Sequence, residues 1–252
     1  MARYFIRLAY NGKNYHGWQS QHNSNTVQDE LEKCFTLKIR EKIRLSGCGR
    51  TDAGVHAREF YAHFDSSFEW DEQQNEALIH QLNHFLPSDI VVYEMFNVSE
   101  TANARFDAIS RTYHYHILRG KNPFLFDLSH FFYGTLNVVS MQKAADLLFD
   151  YHDFTSFSKL HTQTNNNLCT IYEANWLEEN DQLVFRITAN RFLRNMVRAI
   201  VGTLLEVGTE KLSLDGFKAV IEAKDRNLAG FSVPAKGLYL QKVSYPEKYF
   251  ES

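Results

Sequence analysis

The stretch Ile43-Arg44-Leu45-Ser46-Gly47-Cys48-Gly49-Arg50-Thr51-Asp52-Ala53-Gly54-Val55-His56-Ala57-Arg58-Glu59-Phe60-Tyr61-Ala62-His63-Phe64 reads as two strands around a glycine-rich loop. Ile43 to Ser46 and Glu59 to Phe64 are the strands, and Phe60, Ala62 and Phe64 alternate onto one face. Gly47, Gly49 and Gly54 let the loop bend and remove the Cβ atoms that would keep a ligand from the backbone. Arg50, two residues before Asp52, and Arg58, six after it, favour an ionised carboxylate and attract an anionic polymer. That points to a carboxylate working on a phosphate-bearing substrate. The same composition also describes an ordinary turn whose Asp caps a helix or closes an Asx-turn, and on the residues alone both readings stand. A P-loop would need Lys and Ser or Thr where Val55 and His56 follow Gly54, and a dinucleotide fingerprint would need Gly in place of Asp52.

Outward from the loop, Ala2 to Tyr10 alternates as a strand with Tyr4, Ile6, Leu8 and Tyr10 on one face, and Asn11-Gly12 ends it. Thr26 and Asp29 approximate a capping box for a helix carrying Val27, Leu31 and Phe35 at helical spacing. A second helix is expected from Asp71 to Phe85, burying Ala77, Leu78, Leu82 and Phe85 and stopping at Pro87. Asp89 to Val98 and Arg111 to Leu118 follow as strands, then a helix from Ser140, as N-cap, to Phe149. Ile171 to Trp176 and Leu183 to Thr188 pair across Glu179-Asn180-Asp181. Helices at Arg194 to Val207 and Leu214 to Lys224 precede a last strand, Gly237 to Val243. The interleaving predicts an α+β protein of two packed halves, each a mainly antiparallel sheet with helices on one face, with an active-site cleft between them. The halves are 1–105, carrying the Asp52 loop, and 106–252, carrying the Tyr113 strand and an Arg-rich helix.

With 252 residues, 44% of them hydrophobic and 23% charged, the chain has the composition of a globular enzyme rather than of a disordered or fibrous protein. It shows no signal-peptide core and no apolar run long enough for a membrane span, so a cytoplasmic location and no membrane partner are expected. Cys34, Cys48 and Cys169 are odd in number and widely spaced, which supports neither a disulfide framework nor a zinc ribbon. A net charge of -3 argues against indiscriminate nucleic-acid binding and confines any RNA contact to a local basic patch.

One such patch is Arg186-Ile187-Thr188-Ala189-Asn190-Arg191-Phe192-Leu193-Arg194-Asn195-Met196-Val197-Arg198, which holds arginines and no acidic residue. If helical throughout, it sets Arg191, Arg194 and Arg198 in one cationic stripe and turns Phe192, Met196 and Ile200 to the core. A solvated face and a phosphate-binding face are both open readings, and amides near the helix N-terminus would add to anion attraction. Arg111-Thr112-Tyr113-His114-Tyr115-His116 puts Tyr113 and Tyr115 on one strand face and the histidines on the other. That arrangement suits base stacking as well as a half-buried strand. His80 and His84 lie one helical turn apart, but Gln81 stands where a zinc protease needs glutamate. With no nucleotide loop, metal cluster, Ser-x-Gly elbow or redox cysteine pair, a redox-neutral, cofactor-free reaction is favoured, such as an isomerisation or hydrolysis on RNA.

Taken in order, these segments resemble the TruA-type tRNA pseudouridine synthases over nearly the whole chain. The resemblance is carried by Tyr10-Asn11-Gly12 with His16-Gly17-Trp18-Gln19, by Gly49 to His56, by Ala104-Arg105-Phe106-Asp107 and by Arg111, Tyr113 and Tyr115. Asp153-Phe154-Thr155-Ser156-Phe157, then Phe192 with Met196-Val197-Arg198 and Ile200-Val201-Gly202, and Ala235 with Gly237-Leu238, complete it. It implies that Asp52 is the catalytic aspartate, that Tyr113 contacts the target uridine and that Arg50 and Arg198 lie near Asp52. Leu238 joins Tyr113, Arg198, Arg194 and Arg191 in the expected substrate-binding set. It further implies isomerisation of uridine in the tRNA anticodon stem-loop, at positions 38, 39 and 40, by a homodimer with no metal and no organic cofactor. One departure is that Asn165 to Thr170 is neutral where the family often has a basic segment. Two alternatives on the same scaffold are a non-catalytic RNA-binding protein and an RNA hydrolase pairing Asp52 with a histidine such as His56.

Overall fold

A computed structural model describes residues 1–159 and 166–250. In chain order its elements are β1 (Ala2–Tyr10), α1 (Val27–Ile39), β2 (Ser46–Gly47), β3 (His56–Ser66), α2 (Glu72–Phe85), β4 (Ile90–Val98), β5 (Ser110–Leu118), β6 (His130–Phe131), α3 (Val138–Asp146), β7 (Ile171–Glu179), β8 (Gln182–Ala189), α4 (Met196–Gly208), α5 (Leu214–Ala223) and β9 (Leu238–Ser244). The chain divides into two units, Met1–Ile109 with Leu240–Ser252, and Ser110–Tyr239. The class is α+β with mostly antiparallel strands, as the interleaved periodicities predict.

In the first unit the strand order is β4-β1-β3-β9, and β1 pairs antiparallel with both β3 and β4. Thr26 caps α1, its hydroxyl accepting from the Asp29 amide, and Val27, Leu31 and Phe35 are buried as their spacing predicts. The Phe35 ring meets Phe64 edge-on at 5.3 Å, and Phe64 stacks on Tyr4 at 5.5 Å, so helix and sheet share one aromatic layer. The opposite sheet face is not left to solvent. Phe5 there packs against Phe96, Tyr245 and Tyr249, the last two from the segment after β9.

Two expectations for this unit need correction. Ile43 to Ser46 is not a strand; only Ser46 and Gly47 pair with β3. The preceding amides go to α1 instead: the Ile43 amide donates to Thr36 Oγ1 at 3.1 Å and the Leu45 amide to the buried Glu32 carboxylate at 2.9 Å. On α2, which has the Asp71/Gln74 capping box, Leu78 and Leu82 are buried with Asn75, whereas Ala77 is exposed and Phe85 is 67% exposed. Neighbouring elements hold the helix along the Leu82 line. Cys34 Sγ contacts the Leu82 carbonyl and Asn83 bonds both backbone groups of Val92, leaving Phe85 outside, beneath the Lys38 ammonium.

In the second unit the order is β5-β8-β7, antiparallel, with the short β6 parallel to β5. The β7–β8 hairpin turns at Asn180 and Asp181, whose φ values of 46° and 64° match the type I′ turn these residues tolerate. Helix α3 begins before the expected Ser140, because Asn137 is the cap and its side chain accepts from the Ser140 amide at 3.1 Å. Helix α4 buries all but two of its residues, Arg198 and Glu206 being half-buried, and it supplies the core of the unit. It starts at Met196, not Arg194, because Asn195 adopts a left-handed φ of 67°.

Candidate active site

In the first unit the Asp52 loop is clasped by the segment that follows β1. Trp18 lies on Phe60 at 4.1 Å, and a Cβ on Gly47 would fall 2.5 Å from the Trp18 indole nitrogen. The Tyr10 hydroxyl and the buried Thr51 Oγ1 are 2.8 Å apart, and the Trp18 amide donates to the Thr51 carbonyl at 3.4 Å. Gly54, with φ of +78°, allows the turn closed by the Val55 amide on the Asp52 carbonyl at 3.1 Å. Its own amide donates to the Tyr15 carbonyl at 3.1 Å. The backbone of the loop is thus a closed turn, and Asp52 on it is half-buried. Arg50 and Arg58 are exposed.

His56 is buried at 1% exposure, and its Nδ1 accepts the Gly12 amide at 3.1 Å. That bond requires a lone pair on Nδ1, so the ring stands in the neutral Nε2–H tautomer and serves as a strut between β3 and the Gly12 turn.

In the second unit Tyr113 is half-buried on β5, opposite Ile187, with its ring edge-on to Phe192 at 5.1 Å and 87°. Tyr115 on the same face is fully buried, its hydroxyl donating to the Pro234 carbonyl at 2.9 Å, and burial raises its pKa. The two tyrosines of one strand face therefore differ, one in the core and one at its margin. His114 is also buried and Arg186 Nε donates to its Nε2 at 3.1 Å.

The cationic stripe is corrected. Arg191 and Arg194 lie in the loop before α4, and only Arg198 is on the helix. Asn190 organises that loop, its side chain accepting the Thr170 and Arg191 amides at 2.8 Å each, while Arg111 donates to the Asn190 carbonyl at 3.0 Å. Arg191 is half-buried and reaches Asn166 Oδ1 at 3.4 Å; Arg194 is exposed, its carbonyl accepting the Lys159 amide at 3.0 Å. Phe192, expected in the helix core, is instead the partner of Tyr113. Arg198 is half-buried and donates from Nε to the Val233 carbonyl at 2.7 Å. Leu238 is buried at 6% exposure. Within the neutral segment, Asn165 lies outside the described residues.

Two other sequence motifs are structural. Asp153 accepts from the Thr155 amide at 3.1 Å and pairs with Lys224 at 2.9 Å, which hold its pKa low, while Phe154 and Phe157 are buried. Asp107 accepts the Tyr249 hydroxyl at 2.8 Å, and Ala104 donates its amide to His63 Nδ1 at 3.1 Å. His80 and His84 are exposed.

The chain is 52% identical over 252 residues to a tRNA pseudouridine synthase A of Parabacteroides distasonis, covering 99% of this chain and 98% of the relative. The chain belongs to the tRNA pseudouridine synthase A family. A synthase of the same name from Porphyromonas gingivalis is 52% identical, with coverage of 99% and 100%, and one from Clostridium acetobutylicum is 42% identical, with coverage of 95% and 98%. A tRNA pseudouridine synthase family model matches residues 144–246, the part that runs from α3 through β9. Residues missed by the sequence reading are Phe192 as the ring beside Tyr113, and Gly12, Gly17 and Trp18 as the support of the Asp52 loop. Their signal was the dense run of motif residues after β1.

Proposed function

We propose that this protein isomerises uridine to pseudouridine in the anticodon stem-loop of tRNAs, at positions 38, 39 and 40, with Asp52 as the catalytic carboxylate. Family membership over the full chain, together with a half-buried Asp52 on a loop whose backbone is clasped on both sides, supports this reading most. Breaking the C1′–N1 bond and rejoining through C5 conserves every atom and the redox state, so no metal or organic cofactor enters the reaction. An ionised carboxylate serves it in either of two ways, by attack at C1′ or by removing a proton from C2′. A primary isotope effect with uridine deuterated at C2′ identifies the second route, and its absence identifies the first.

The uridine must leave its stem-loop before Asp52 can reach it. Stacking on the half-buried Tyr113, whose ring is braced by Phe192, offsets part of the few kcal/mol that unstacking costs. Arg50 and Arg198 serve the carboxylate and flanking phosphates, since guanidinium forks fit both kinds of oxyanion. Arg191, Arg194 and Leu238 complete the substrate-binding set. In this reading the working form is a homodimer acting in the cytoplasm; no helix among the described residues is long and apolar enough to cross a membrane.

The decisive experiment incubates unmodified tRNA with wild type and with Asp52→Ala, without cofactor, and maps pseudouridine by carbodiimide. Product is expected from wild type alone, with tRNA affinity within about threefold in the variant and RNA length unchanged. Equal product from both proteins refutes the role of Asp52, strand cleavage favours the hydrolase, and binding without product in either favours a binding protein.

A further inference from the structure

Between α5 and β9 runs Arg226-Asn227-Leu228-Ala229-Gly230-Phe231-Ser232-Val233-Pro234-Ala235-Lys236-Gly237, whose only helical pieces are single 3₁₀ turns at either end. A segment without ladder partners must find side chains for its backbone groups. Arg226 supplies many of them. One guanidinium nitrogen donates to the Ala229 and Gly230 carbonyls at 3.2 and 3.1 Å, and the other to Ser232 Oγ at 2.9 Å. Ser232 Oγ also takes the Asn195 side-chain amide at 2.6 Å, at the left-handed residue that starts α4. The Gly230 amide donates to Thr203 Oγ1 at 2.9 Å. A Cβ on Gly202 would lie 1.8 Å from the Phe231 carbonyl oxygen, so the strap rests directly on the α4 backbone.

The next residue is tied to Arg198 twice. The Val233 amide donates to the Arg198 carbonyl at 3.2 Å, and Arg198 Nε donates to the Val233 carbonyl at 2.7 Å. The direction of the Arg198 guanidinium therefore follows the position of the Val233 carbonyl, and that position follows the strap.

We propose that Arg226 is a positioning residue for Arg198: its guanidinium fork and Ser232 lock the strap, so that Val233 aims the Arg198 side chain for the isomerisation. The proposal rests on the reading that Arg198 works at the uridine site. A fork is needed because three acceptors are held from one planar group, which a lysine ammonium on its longer, rotating stem does not reproduce.

A double-variant cycle tests it, using Arg226→Gln, Arg226→Lys, Arg198→Ala and the combined Arg226→Gln/Arg198→Ala protein. Single-turnover pseudouridine formation on unmodified tRNA, tRNA affinity and thermal midpoint are measured for each. Arg226→Gln is expected to lose about 10- to 100-fold in rate with affinity within about threefold, as small misplacements of a working group do. Arg226→Lys recovers little, and the combined protein is no slower than Arg198→Ala alone, because the first substitution acts only through the second residue. Additive losses, or wild-type rates in Arg226→Gln, overturn the proposal. If Arg226→Gln fails to fold, Ser232→Ala replaces it, with the same non-additivity with Arg198→Ala expected. Absence of product from wild type, or full activity in Arg198→Ala, overturns instead the reading on which it rests.

Discussion

A methyl group at Gly17 would sit 2.2 Å from the Thr51 carbonyl oxygen, on a backbone whose φ of +93° suits only glycine well. At Gly12 the corresponding distance, to the Val55 carbonyl oxygen, is 2.0 Å. Both contacts bear on the loop that carries Asp52. Gly17→Ala is expected to cost about 2–4 kcal/mol, combining left-handed strain with overpacking. A urea titration checks this; a loss under ~0.5 kcal/mol shows that the clasp yields without resistance. His63 makes a second residue-scale prediction. Its buried ring accepts the Ala104 amide through Nδ1, which only the neutral form of that nitrogen permits, and desolvation followed by the Arg3 charge lowers its pKa below the ordinary 6.5. A depressed histidine pKa contributes stability that is present above 6.5 and is lost as pH falls through the folded value. Urea midpoints are therefore expected to drop between neutral pH and pH values below 6.5, and to drop less in His63→Gln, whose side-chain carbonyl accepts the same bond at any pH.

At the scale of elements, the loop from Asn190 to Asn195 carries arginines between β8 and α4. Arg194 is exposed there, so Arg194→Glu is expected to weaken tRNA binding and lower the salt slope of log K by about 1, as removal of one phosphate contact does. Unchanged affinity and slope across a salt series would remove Arg194 from the interface. Elements whose signals are local were legible in the sequence: Thr26 caps α1, and Asn180-Asp181 turns the β7–β8 hairpin. Errors arose where something other than side-chain spacing decides. Ile43 to Ser46 alternates like a strand, yet Glu32 and Thr36 of α1 take its amides. Arg191 and Arg194 have helical spacing, but left-handed Asn195 delays the helix and sends Phe192 to Tyr113. For the candidate site, Asp52 stood out by its glycine and arginine company. The buttress behind it, made by Gly12, Gly17 and Trp18, was signalled by the dense run of motif residues after β1, but its contacts with Thr51, Val55 and Phe60 lie far along the chain and no periodicity encodes them.

For the molecule as a whole, a net charge of -3 confines attraction for RNA to local patches and leaves folding to apolar layers. One of those layers is assembled from both ends of the chain. Phe5 of β1 is covered by Tyr245 and Tyr249, the Tyr245 hydroxyl donates to the Ala104 carbonyl and the Tyr249 hydroxyl to Asp107. During synthesis the first unit therefore waits. Its opening residues emerge from the ribosome with one sheet face bare, while Ser110–Tyr239 are still to be translated, an interval of roughly 7 to 26 s at bacterial elongation rates. The second unit is contiguous in sequence, whereas the cover over Phe5 in the first is complete only once Tyr245 and Tyr249 have been added to the chain.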